Sequence, residues 1–206
     1  MRFSLHALWR AGRRVGAGLA LAVTYACAVC VAQSPSGDPA APLVRLHAGL
    51  LAEAAAAWPP ERAAVARLVG DSFDLAFIAR AVLGARAANA TDSQQRRLAG
   101  VIGRRMVREL MRRKPSGESD LRILSVRALE GGEWLVASSV VMPRGEAAVL
   151  QWRVRSRPQG LRIVDAMRDG ASAVITMRQE VAEALRRQTL DEVIDAIERR
   201  DAEGQP

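Results

Sequence analysis

The chain has 206 residues and a formal charge of +8, carried almost wholly by arginine because Lys114 is its only lysine. That balance raises nucleic acid as a partner, but single-strand binders interleave their charge with stacking aromatics. Past residue 32 the aromatics are Trp58, Phe73, Phe77, Trp134 and Trp152, all in apolar patterns away from the arginine clusters, so nucleic acid is set aside.

The first stretch reads as removable. Arg2, Arg10, Arg13 and Arg14 make a positive start, Val15 to Ala32 is uncharged and mostly apolar, and Cys30-Val31-Ala32 puts small residues before Gln33. This is the layout of a secretory signal peptide over residues 1–32. The apolar run is short and rich in Ala and Gly for a membrane span, which needs ~20 strongly apolar residues. Cleavage would remove four arginines and no acid, taking the charge from +8 to +4. Cys27 and Cys30 would go too, so the mature chain could form neither a disulfide nor a thiolate metal site and would be held by its core alone. About 174 residues would remain, one domain able to bury ~70% of its unfolded surface.

Gln33 to Pro42 is rich in Ser, Pro, Gly and Ala and reads as a flexible lead-in. The domain proper is expected over residues 43–200. Leu43 to Trp58, with Leu46, Leu50 and Leu51 at helical spacing, reads as a helix stopped by Pro59-Pro60. Glu61 to Val69 is a second helix, with Ala64, Val65 and Leu68 as its stripe. Phe73 to Gly84 is a third: Phe73, Phe77, Ile78, Ala81 and Val82 share a face and Gly84 is the natural stop.

Thr91 to Lys114 carries the fullest helix signals. Thr91 and Gln94 can form a capping box. Asp92 sits at the positive end of the macrodipole, and Arg112, Arg113 and Lys114 at the negative end. Leu98, Val101, Ile102, Met106 and Leu110 form the apolar stripe. Arg97, Arg104, Arg105, Arg108 and Arg112 lie mostly opposite and read as a solvated face whose stems cover apolar surface; contact with lipid headgroups or an acidic partner is the functional alternative. At 1.5 Å per residue this helix would span ~35 Å.

The period then changes to two. Leu121 to Leu129 reads as a strand, followed by strands from Trp134 to Met142, Ala148 to Arg155 and Leu161 to Ala166. The second is nearly free of charge on both faces and is expected to be central. Turns at Glu130-Gly131-Gly132-Glu133, Pro143-Arg144-Gly145 and Pro158-Gln159-Gly160 are short, which favours an antiparallel meander. Helices follow at Ser172 to Arg187 and Leu190 to Arg199, and residues 201–206 form a polar tail. The order predicts an α+β fold with helices on one face of a curved, four-stranded, mainly antiparallel sheet.

Reactive groups are sparse. His47 is the only histidine past residue 32; without a second His or a Cys it reads as a helix-surface residue, not a base or a metal ligand. Asp71 and Asp74 flank Phe73 and are expected to cap the third helix. Asp165, at a strand end, and Asp169, before Gly170, are expected to bond turn or helix-start amides. A catalytic Asp165 inside a cone-like sheet is the enzyme alternative. No cofactor, metal or catalytic set is expected.

Phe73-Asp74-Leu75-Ala76-Phe77-Ile78-Ala79-Arg80-Ala81-Val82-Leu83-Gly84, continuing into Ala90-Thr91-Asp92-Ser93-Gln94-Gln95-Arg96, resembles the first signature of the MlaC, or toluene-tolerance auxiliary, family. Asp165, Asp169-Gly170-Ala171-Ser172 and Arg178 resemble its second. The resemblance runs from about Leu43 to Ile197, and a hopanoid-associated branch of the family is an equal match. It implies an NTF2-like, MlaC-like fold and a monomeric periplasmic carrier that is not an enzyme. Such a carrier would shuttle phospholipid or a hopanoid-type lipid between an inner-membrane ABC transporter complex and an outer-membrane lipoprotein complex, maintaining outer-membrane lipid asymmetry. On that reading Phe77, Ile78, Val82, Met106, Leu110, Val140 and Trp152 form the cavity wall, between the 91–114 helix and the sheet. A non-catalytic envelope interaction module is the remaining alternative.

Overall fold

The computed structural model describes residues 37–112, 114, 115, 117, 120–141 and 146–202. The expected signal peptide, the Pro143-Arg144-Gly145 turn and the last four residues lie outside them. The helices are α1 (Ala41–Ala56), α2 (Arg62–Ser72), α3 (Leu75–Leu83), α4 (Asp92–Leu110), α5 (Ala173–Ala184) and α6 (Leu190–Ala202), with a 3₁₀ turn at Gly84–Asn89. The strands β1 (Leu121–Leu129), β2 (Glu133–Val141), β3 (Ala147–Arg157), β4 (Gly160–Arg168) and β5 (Ala171–Ser172) form one sheet in chain order, every pairing antiparallel.

The fold is the expected α+β arrangement with one strand more. Asp169 and Gly170 both adopt positive φ, 51° and 80°, the conformation of a type I′ turn. The chain therefore folds straight back, and Ser172 pairs with Met167 before α5 begins. The packed chain also starts two residues early. Asp38 accepts a 2.9 Å hydrogen bond from the Ala40 amide, and Pro42 sits in the first turn of α1, where its fixed φ favours the helix and its missing N–H costs nothing. Ala40 is buried, so the lead-in ends in the core.

Both early helix ends trace to proline. Ala57 is already extended, two residues before Pro59, and α4 closes at Leu110 with a tighter bond from the Arg112 amide to the Glu109 carbonyl, 3.3 Å. The residue preceding a proline is pushed out of the α region, so Pro115 stops the helix before Lys114. At the other end of α4 the capping box forms as expected, with Thr91 and Gln94 bonding each other's backbone amides at 2.9 and 3.2 Å.

Among the described residues three apolar clusters hold the domain. The largest lies among helices: Ile78, Val82 and Leu83 of α3 meet Leu98, Val101 and Ile102 of α4, Met177 and Val181 of α5, and Ile194 of α6. A second joins Leu43 of α1 to Val136, Val154, Leu161 and Ile163 on one sheet face. A third joins Val65 and Val69 of α2 to Val107 of α4. Phe73 packs against all three. It also bridges Ile163, whose carbonyl accepts from the Asp74 amide at 3.0 Å, pinning the α2–α3 junction to β4.

The arginine face of α4 differs from the expectation of a solvated surface. Arg97 pairs with Asp191, Asp195 and Glu198 of α6, and Arg104 reaches Glu198 at 3.3 Å. The acidic face of α6 therefore docks against it. The hydrogen bonds Arg97 donates to Glu198 and Asp195 raise its pKa above the ordinary value, and the one Glu198 accepts lowers that of Glu198. A carboxylate depressed in the folded state stabilises the fold above its unfolded pKa and loses that contribution as pH falls through the folded one. The Tm difference between wild type and Glu198→Gln should therefore be largest above about pH 5 and close below about pH 4, as read by thermal unfolding across pH.

Candidate functional site

α1 is apolar on two sides, and each side meets a different surface. Leu43 and Leu46 are buried, and Gly49 lets α2 approach so closely that a Cβ there would lie 2.3 Å from Leu68 Cδ2. On its other side Val44, His47, Ala48 and Leu51 look across to Leu121 and Ile123 of the edge strand β1. Between them lies a cleft of about 460 Å³, within the ~300–1,000 Å³ typical of small-ligand sites.

Five of the six residues named there are apolar. The sixth, His47, places Nε2 3.2 Å from the Gly117 carbonyl and so ties α1 to the segment leading into β1. The cleft is half open: Val44 keeps 48% of its surface exposed. Its floor continues into the sheet, where Leu121 and Ile123 pack on the same cluster as Trp152. Trp152 donates from Nε1 to Ser138 Oγ at 2.8 Å, and Ser138 stands opposite Ile123. Van der Waals surface backed by satisfied polar groups is suited to an apolar ligand.

The seven residues expected to form one wall are distributed over the domain. Val140 and Trp152 lie on the sheet face beneath the cleft, Val140 directly opposite Leu121. Ile78 and Val82 are fully buried in the helical cluster, Met106 packs on that cluster and on the third one, and Leu110 packs on the third. Phe77 is half-buried, with the guanidinium carbons of Arg155 and Arg157 4.9 and 5.4 Å from its ring centre. The cleft lies under α1, whereas α4 packs on α2, α3 and α6. A signal for α1 was available in Val44, Ala48 and Leu51 at i, i+4 and i+7, a second stripe beside the leucine one.

The acidic residues hold the scaffold. Asp74 caps α3 by accepting from the Phe77 amide at 2.9 Å and pairs with Arg157. Asp71, expected to share that role, is an exposed residue of α2; α2 runs on through Ser72 and leaves the cap to Asp74. Asp165 is buried and its oxygens are occupied. Oδ1 accepts from the Ala166 and Val174 amides at 2.8 and 3.1 Å, and Oδ2 from the Ser172 hydroxyl at 2.6 Å. Ser172 in turn caps α5 by accepting from the Ile175 amide at 3.0 Å. Arg178 of α5 donates to the Ala81 carbonyl at 2.7 Å and lies against Gly84, whose φ of +59° ends α3. The two sequence signatures thus meet at the α3–α5 contact. A second cleft of about 430 Å³, lined in part by Arg80, Arg157 and Arg162, opens beside the α2–α3 junction.

A meander sheet with helices against it, an apolar cleft beneath the first helix and acids spent on capping define a ligand-holding α+β scaffold. A family model described as MlaC protein matches residues 53–199, and the chain belongs to that family. Among solved structures it is similar in fold to a phospholipid-binding protein from Ralstonia solanacearum, determined in complex with a phospholipid at 1.53 Å resolution. The TM-score is 0.66 at 19% identity, covering 81% of this chain and 98% of that one. No curated protein sequence matches. Replacing Asp165 by Ala would strand a buried hydroxyl and two amides, so unfolding free energy should fall by about 3 kcal/mol in urea titration; Asp165→Asn, which keeps an acceptor oxygen, should lose less.

Proposed function

We propose that this protein is a lipid-binding carrier whose cargo is phospholipid or another membrane lipid, held by its acyl portion in the cleft between α1 and β1. The observation that carries the reading is that cleft, apolar and half open, in a member of the MlaC family. The phospholipid named in the complex of its structural relative supports the same cargo class. Hiding a methylene from water contributes ~0.8 kcal/mol, so a single acyl chain supplies enough to draw a lipid from a bilayer only if the site is nearly as oily as the membrane. Val44, Ala48, Leu51, Leu121 and Ile123 provide such a lining.

In this proposal the wall extends along the sheet to Val140 and Trp152. Phe77, Ile78, Val82, Met106 and Leu110 would join it only on displacement of the helices that now pack around them. The chain works in the periplasm after removal of residues 1–32, exchanging lipid with an inner-membrane ABC transporter complex and an outer-membrane lipoprotein complex. No covalent step is needed, and the committed oxygens of Asp165 suit a carrier more than an enzyme.

Ala48 is exposed at the cleft. Ala48→Trp should fill the space and lower co-purifying lipid by at least about tenfold in native mass spectrometry, while stability changes by less than about 0.5 kcal/mol, as for a surface substitution. Wild-type protein that carries no lipid and takes up none from vesicles would refute the reading.

A further inference from the structure

The sheet face turned away from α1 carries a ladder of arginines. Strand register places Arg122 and Arg127 of β1, Arg153, Arg155 and Arg157 of β3, and Arg162 of β4 on that side, across the sheet from Val136, Val154 and Ile163. Arg127 and Arg153 both flank Leu135, and Arg155 stands directly opposite Arg162. Like charges facing each other across a strand pair oppose folding, so this arrangement has a cost that an external anion would relieve.

Acidic side chains near this face offset only part of it. Glu133 pairs with Arg153 and approaches Arg155 at 3.9 Å, and Asp74 pairs with Arg157. Asp165 shares the face, but its oxygens hold the start of α5. Among the described residues no carboxylate pairs with Arg122, Arg127 or Arg162; Arg162 donates from Nη1 to its neighbour's carbonyl, Leu161 O, at 3.1 Å. Apolar groups are interspersed: Val149 keeps 55% of its surface exposed, and Leu135, Ala137 and Val141 are half-buried.

We propose that this face docks on the surface of an anionic phospholipid bilayer, with Arg122, Arg127 and Arg162 on headgroup phosphates and the exposed valine at the headgroup–acyl boundary; Arg155 and Arg157 lie over the Phe77 ring and add charge rather than contacts. Guanidinium forks match phosphate oxygens in pairs, and the charge is spread over three strands, β1, β3 and β4, as a membrane plane requires. An acidic protein segment or a free phosphate would need only one end of it, such as the Arg80, Arg157 and Arg162 cleft. The cleft under α1 opens from the opposite sheet face, so a docked molecule keeps its cargo site clear of the bilayer. The proposal rests on charge placement and not on the carrier reading.

Vesicle flotation of the full chain tests it, using neutral phosphatidylcholine vesicles and vesicles with about a third phosphatidylglycerol. The protein should float with the anionic vesicles only, and raising salt from 50 mM to 0.5 M should lower partitioning by at least about tenfold, because screening shortens the reach of the charges. R122Q/R127Q/R162Q should lose about tenfold in partitioning at low salt, with a melting temperature no lower than wild type's and unchanged co-purifying lipid. R122K/R127K/R162K should retain most of the binding. The N-terminal segment is common to all these proteins, so it cancels in the comparison. Equal flotation with neutral vesicles, equal flotation of the glutamine variant, or binding to inorganic phosphate or polyglutamate without vesicle binding would each overturn the proposal. Loss of co-purifying lipid in wild type with vesicle binding intact would instead strike the carrier reading alone.

Discussion

Everything in this domain is referred to one short junction, Phe73-Asp74. Phe73 ends α2, bridges Ile163 in β4, and packs against all three apolar clusters. The next residue caps α3 through one carboxylate oxygen and holds Arg157 of β3 through the other. Two residues thus join helix, helix and sheet. The desolvation cost of bringing Asp74 inward is met by an amide and a guanidinium together. That join adds to the packing of α1 on the sheet and to the Asp165 bonds that hold α5 to β4.

The layers themselves are unequal. The helical body is closed, and residues such as Ile78, Val82 and Ile194 are almost wholly removed from water. The sheet is covered by α1 at one side and left open at β1, most of whose residues are exposed. A solid half keeps the frame fixed while the open half supplies the surface at which other molecules can be met. The chain's family membership fits that division, and so does the way Asp165, Ser172 and Arg178 lock α5 to β4 and α3.

The meander was legible in the sequence because a strand with one covered face must alternate, and Trp134, Val136, Ser138 and Val140 do so. Helix starts at Thr91 and Ser172 were legible because their partners are three residues away. The cleft was not, since a cavity is a property of where two elements stop short of each other, and nothing local to α1 or β1 records that distance. The dispersal of Phe77, Ile78, Val82, Met106 and Leu110 has the same origin: apolar stripes announce that something will be covered, not what covers it. The Arg97 contacts were illegible for a related reason, because their partners lie 94 to 101 residues away.

The missing side chain at Gly49 sets the mechanics of the cleft. Leu68 occupies the space where a Cβ would stand, so α1 and α2 behave as one beam, and α2 is anchored in turn to α4 through Val65, Val69 and Val107. The opposing bank is β1, a terminal strand with a neighbour on one side only and a register shift between Ile123 and Ser125. A bulged edge bends more readily than a packed helix pair. The two banks therefore differ in compliance: one sets the shape of the opening, and the other sets how wide a guest it tolerates.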